Sequence, residues 1–182
     1  MIEIRNFTDA LEHAQAFIHA KCAHLEDADL SIHIKHTRAR RRDVTGYYRL
    51  NDHRIVLAVK RRLRFPRTAA YGVATRPVRR PVSARRPYRL VWHEERFSSP
   101  DELVVFVAGH EFWHFLCHVG RRKRNHETKA NCHGFLWLRE FQCWNGPAEP
   151  VAAFPEIPPR PDLEAAPAAP DLGFQLPLFA RL

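Results

Sequence analysis

The sequence predicts an α+β protein: an N-terminal helix, a small antiparallel sheet with a hairpin, a long apolar helix, a following antiparallel helix, and a disordered C-terminal tail. Three observations predict it. Stretches with a 3.6-residue apolar period are separate from stretches that alternate every second residue. Capping and turn residues fall between them. After Gly146 the composition turns to proline, alanine and acidic residues.

The elements follow in order. Residues from about Thr8 to Asp27 form an amphipathic helix, with Leu11, Ala14, Ile18, Cys22 and Leu25 on one stripe. Leu30, Ile32 and Ile34 alternate with Ser31, His33 and Lys35, which predicts a half-buried strand. Val44 to Leu50 and Arg54 to Val59 make a hairpin around Asn51-Asp52-His53. Residues 61 to 87 combine Pro66, Pro77, Pro81 and Pro87 with many arginines, an extended or mobile basic insertion. Tyr88 to His93 returns as a strand. Ser99-Pro100-Asp101-Glu102 is a helix start, with Ser99 as N-cap, Pro100 in the first turn and Glu102 closing a capping box. The apolar run from Leu103 continues this helix until Gly120 stops it. A last helix runs from about Asn125 to Trp144, ended by Asn145-Gly146-Pro147.

The 182 residues divide into a domain over 1–146 and a tail over 147–182 that holds nine of the fourteen prolines. No stretch approaches the ~20 apolar residues of a membrane span, and the N-terminus lacks a signal-peptide core. Cys22, Cys117, Cys132 and Cys143 form no C-x-x-C pair, which favours reduced thiols and a cytoplasmic, nucleoid-associated setting over a disulfide scaffold. The net charge is +9, and residues 35–89 carry eighteen Lys or Arg against two acids. Such a surplus suits a polyanion, DNA or RNA, held through its phosphates.

The chemistry-bearing motif is His110-Glu111-Phe112-Trp113-His114, which fits H-E-x-x-H. Residues four apart lie on one helix face, so both imidazoles can hold one metal ion, while Glu111 can take a proton from a bound water. In a buried helix, two histidines without a shared purpose would be costly. A catalytic zinc needs a third protein ligand and an open position. The candidates are Glu127, thirteen residues beyond His114, and His126 beside it. Glu127 is preferred, because Asn131 four residues later shares its face and can orient a ligand imidazole. A His₂Glu set favours Zn2+ over manganese or iron. His118 and His133 are expected as local polar partners.

H-E-x-x-H on one helix and Glu127-Thr128-Lys129-Ala130-Asn131 (E-x-x-A-N) on the next resemble the gluzincin metallopeptidases, particularly minimal members. The order of helix, hairpin and H-E-x-x-H helix over residues 8 to 144 also resembles SprT-like (Spartan-like) proteases, which act on DNA-bound proteins. There the third ligand is usually a histidine in a Gly-His-Gly-like segment, corresponding to His126, and the glycines are missing here. The ImmA/IrrE-type proteases, whose third ligand is Glu, are similar too. The resemblance implies peptide-bond hydrolysis with Glu111 as general base. It also implies an edge strand, placed at residues 53 to 59, that takes an extended peptide by strand addition. Tyr47, Tyr48, His118 and His126 are the candidate oxyanion donors.

Gln175-Leu176-Pro177-Leu178-Phe179 resembles the bacterial sliding-clamp-binding motif, Q-L-x-L-F. Leu178 and Phe179 would fill an apolar pocket while Gln175 anchors through hydrogen bonds and Leu176 completes the motif. Together these features imply a zinc endopeptidase acting on DNA-associated proteins and tethered to the clamp. The alternatives are an ImmA-type protease that cuts a repressor, and a non-enzymatic DNA- or clamp-binding adaptor with a structural zinc.

Overall fold

A computed structural model describes residues 2–8, 10–23, 25, 29–37, 44–77, 88–121 and 126–145. The tail with Gln175, Leu176, Leu178 and Phe179 lies outside the described residues, as do residues 78–87 and the basic run 122–124. The elements in chain order are β1 (Ile2–Asn6), α1 (Glu12–Cys22), β2 (Leu30–Thr37), β3 (Val44–Arg49), β4 (Arg54–Lys60), β5 (Arg67–Pro77), β6 (Tyr88–Phe97), α2 (Pro100–His118) and α3 (Glu127–Gln142). The α+β class and the predicted order of helices and hairpin are present.

β1 to β4 form one sheet in the order β1-β2-β4-β3. β1 pairs parallel with β2 and β2 parallel with β4, while β3 closes the sheet antiparallel to β4. Parallel neighbours need a crossover, and α1 supplies it between β1 and β2. The first strand was not among the expected elements, although Ile2 and Ile4 alternate with Glu3 and Arg5. Five residues carry too short a period to stand out on their own.

This order corrects one expectation. Residues 53 to 59 were placed on the sheet edge, but β4 has β2 on one side and β3 on the other. Both its rows of backbone groups are taken, and residues 55–59 are buried. The antiparallel edge is β3. A second difference concerns residues 61 to 87. Their middle is not a loose insertion, because β5 forms an antiparallel ribbon with β6, from Arg67 opposite Phe97 to Pro77 opposite Tyr88.

The core lies between the sheet and the helices. α1 buries Ala14, Phe17, Ile18 and Cys22, and the predicted stripe ends of Leu11 and Leu25 are buried beside it. α2 is buried almost throughout, from Leu103 to Trp113 and again at Phe115 and Leu116. Fully buried rings such as Phe106, Phe112 and Phe115 each contribute roughly 1.5–3 kcal/mol. The start of α2 is capped as its sequence demands: Ser99 accepts from the Glu102 N–H at 3.2 Å. Glu102 reaches back to the N–H of Ser98, one residue before the usual capping-box partner. Asp101 does a second job, since its Oδ1 accepts from the N–H of Ala14 at 3.0 Å. It thereby caps α1, whose own N-cap residue, Leu11, has no side chain to do so.

α3 runs antiparallel to α2. Its opening turn meets His110 and His114, while Gln142 at its end reaches Glu102 near the start of α2. Gly109 and Gly134 allow this approach. A Cβ on Gly134 would come within 2.6 Å of the Phe106 carbonyl oxygen, and one on Gly109 within 2.9 Å of the Trp137 ring. The ribbon packs on the same helix pair through Tyr71, Phe97, Phe106 and Phe135. Glu95, buried, is gripped by Arg139 of α3. No helix among the described residues is long and apolar enough to cross a membrane.

Candidate metal centre

His110 and His114 project from one face of α2, one turn apart, as their spacing requires. Their Nε2 atoms stand 3.0 Å apart. Glu127, the first residue of α3, brings Oε2 to 3.4 Å from His110 Nε2 and Oε1 to 3.5 Å from His114 Nε2. Four-coordinate zinc with bonds of ~2.0–2.1 Å holds its ligand atoms roughly 3.3 Å apart. The three separations bracket that value, so these three side chains could hold one zinc ion. Among the described residues this is the group of metal-ligating side chains that converges. His126 stands outside it, as the exposed N-cap of α3.

Asn131 defines which nitrogen of His110 faces the site. Its Nδ2 donates to the Gly72 carbonyl at 2.8 Å, a group that can only accept. The amide oxygen therefore points the other way, 2.9 Å from His110 Nδ1, and accepts the proton there. A neutral His110 then carries its lone pair on Nε2, toward Glu127 and His114. Asn131 is thus the orienting partner expected from its spacing. What the sequence did not show is its anchor: the Gly72 carbonyl sits where β5 bulges against β6, and Cys132 Sγ donates to the next carbonyl, Val73, at 3.3 Å.

Burial by itself would raise the Glu127 carboxyl. When the imidazoles are protonated, the hydrogen bond from His110 and the charges of His110 and His114 outweigh it and hold Glu127 below its ordinary value. Glu111 is in the opposite situation. It is 4 % exposed. Burial pushes it up to about 7, with Glu127 adding to the rise, against the pull of His110 and of the Tyr48 backbone N–H. A carboxyl poised near neutrality suits proton transfer in both directions.

The wall behind Glu111 is β3. A Cβ on Gly46 would lie 2.8 Å from both Cγ and Oε1 of Glu111 and would collide with Val107. Glycine here lets an edge strand pass against the helix at the level of the carboxylate. Neither Gly46 nor Gly72 was singled out from the sequence, since each matters only through a residue far away in the chain.

The remaining candidates are dispersed. Tyr48 packs on Phe115 and His118, and its hydroxyl makes no hydrogen bond among the described residues. His118 also meets His53, near the exposed end of α2. Tyr47 is 41 % exposed and, by strand alternation, faces away from Glu111's side of β3. His133 donates Nδ1–H to the Gly109 carbonyl at 2.7 Å, a local polar partner as expected. Comparison of the chain with family models, curated proteins and solved structures gives no match.

Proposed function

We propose that the chain is a zinc-dependent endopeptidase of gluzincin type, similar to minimal SprT-like proteases, which acts on DNA-associated proteins. The observation that carries this reading is the convergence of His110, His114 and Glu127 beside a buried Glu111, along a sheet edge. His110, His114 and Glu127 would hold the ion. The chemistry zinc supplies when bound is Lewis acidity, which brings a water's pKa to roughly 7 and polarises a carbonyl.

The chain's own groups do the rest. Glu111 takes the proton of the attacking water as its oxygen bonds to the scissile carbonyl carbon, then hands that proton to the amine nitrogen as the C–N bond breaks. The outer edge of β3, which no strand among the described residues pairs, suits an extended substrate chain, which would add as a further strand beside Glu111. DNA association is supported by the cationic surplus of residues 35–89. On sequence grounds, Gln175, Leu176, Leu178 and Phe179 act as a tether to the DNA sliding clamp.

The test is a cleavage assay on a DNA-binding protein, with and without DNA. Glu111→Gln should abolish cleavage and keep zinc at one ion per chain; cleavage that survives in this variant rules out Glu111 as the base. For the tether, a Gln175→Ala, Phe179→Ala double variant should lose recovery of the clamp in a pull-down, and equal recovery refutes it.

A further inference from the structure

The four-stranded sheet turns one face to the helices and the other away from them. Ile4, Ile32, Leu57 and Gly46 point inward, where Ile4 borders α1 and Gly46 meets Val107 and Glu111 of α2. Strand alternation turns their chain neighbours outward, and the register sorts these into rows across the sheet. One row is Arg5, His33, Val56 and Tyr47, and the row on one side of it is Glu3, Ser31, Arg54 and Arg49. On its other side Lys35 stands opposite Ala58. Phe7, whose N–H continues the β1–β2 ladder to the Ile34 carbonyl, turns its ring to His33, centroids 5.6 Å apart.

This outward face is aromatic and cationic together. Phe7 is 59 % exposed and Tyr47 41 %, while Val56 and Ala58 between them are small and buried, a low floor. Arg5, Lys35, Arg49 and Arg54 share the face with one acid among its described strand residues, Glu3. Glu3 holds Arg5 at 2.7 Å, and Asp52 in the turn lies 3.4 Å from both Arg49 and Arg54, so the cations prevail. Burial and the charges of Arg54, Arg5 and Lys35 hold His33 below its ordinary value, against the pull of Glu3, and leave a neutral ring in the middle of the face. Open rings among guanidinium and ammonium groups match a strand whose bases stack while its phosphates pair. A duplex offers the phosphates but keeps the faces of its bases in the stack. β1 and β3 lie three strand spacings apart, roughly 14 Å, so Phe7 and Tyr47 would meet different bases.

We infer that the outward face of the four-stranded sheet binds single-stranded DNA, with Tyr47 and Phe7 stacking on bases and Arg5, Lys35, Arg49 and Arg54 meeting phosphates. This deepens the proposed function and rests on it for the choice of DNA. It also sets the nucleic acid beside the centre, because Tyr47 is the next residue after Gly46, which lies against Glu111 on the inward face.

The test is fluorescence anisotropy of labelled oligothymidylate against the full chain, over a range of salt concentrations. An abasic strand and a duplex of the same length should bind about tenfold more weakly or worse, and oligouridylate no more tightly. Tyr47→Ala and Phe7→Ala should each weaken oligothymidylate binding by about tenfold, while Tyr47→Phe retains most of it. The Arg5→Ala, Lys35→Ala double variant should flatten the dependence of log affinity on log salt by roughly 1.4. Arg76→Ala with Arg89→Ala, which removes two charges from the ribbon instead, should leave that slope unchanged.

Binding that is unchanged in Tyr47→Ala and Phe7→Ala, or equally strong to the abasic strand or the duplex, overturns the proposal. An equal loss of slope in the ribbon variant does so as well, since it reduces the effect to general charge. Tighter binding of oligouridylate overturns the choice of DNA. No cleavage is measured in this titration. An inactive chain that binds through Tyr47 and Phe7 therefore refutes the protease alone, and an active chain indifferent to both rings refutes the sheet surface alone.

Discussion

The four-stranded sheet and the β5–β6 ribbon both reach the candidate centre, one through Gly46 and Tyr48 against Glu111, the other through Gly72 against Asn131. They are anchored differently. β3 is laddered to β4, which is itself laddered to β2 and buried on both faces. Moving Gly46 would disturb the main core. The ribbon has two strands, too few to stand alone in water, and keeps its place by packing Tyr71 and Phe97 on the helices and by the Glu95–Arg139 contact. The proposed base is therefore held against a strand that is laddered into the buried main sheet. His110, a candidate ligand, is oriented by an element whose displacement would reach it through just two hydrogen bonds. The two halves of the site should fail in different ways.

The largest effect is expected on the sheet side. Gly46→Ala drives a methyl into Val107 and Glu111, so proteolysis should fall by about a hundredfold or more while zinc stays bound. Cleavage within tenfold of the native rate, measured beside zinc content, breaks the claim that β3 positions the base. On the ribbon side, Asn131→Ala removes the acceptor of His110 Nδ1–H and the link to Gly72. Zinc affinity should drop roughly 10- to 100-fold in a chelator competition. An unaltered affinity would mean that the ribbon has no hold on the ligand.

A smaller effect separates the two carboxylates without any assay of activity. In the metal-free protein, burial raises Glu111 from 4.5 to about 7, so the folded state prefers its protonated form. That preference contributes fully below pH 4.5 and is lost as pH rises through about 7. Glu111→Gln does not titrate. Its stability in urea should match the native chain near pH 4.5 and exceed it by up to about 3 kcal/mol above pH 7. A gap that stays constant with pH would show that Glu111 is not held in a dry wall by β3.

Much of this was legible in the chain because it is local. The i, i+4 spacing of His110 and His114, the Ser99 cap, the α1 stripe and the hairpin around residue 52 depend on neighbours within a few positions. Local periodicity and turn chemistry suffice for them. Even Asn131 could be named, because it shares a helix face with Glu127.

The rest was decided by pairings between distant segments. β1 became visible as a strand beside β2, and β4 was enclosed when β2 took its second edge. β5 became a strand by laddering to β6 across its arginine-rich surroundings. Nothing in the sequence sets Glu127 apart from His126 in space; the antiparallel helices bring the Glu127 carboxylate against both imidazoles, while His126 stands outside the group. Sequence by itself determined which helix offers the two histidines and Glu111. Tertiary structure decided what stands around them, because a sheet's edges, a glycine's contact and a carbonyl's direction depend on which remote backbones meet. Only then could Gly46 be seen to admit β3 beside Glu111, and Gly72 to tie the ribbon to His110.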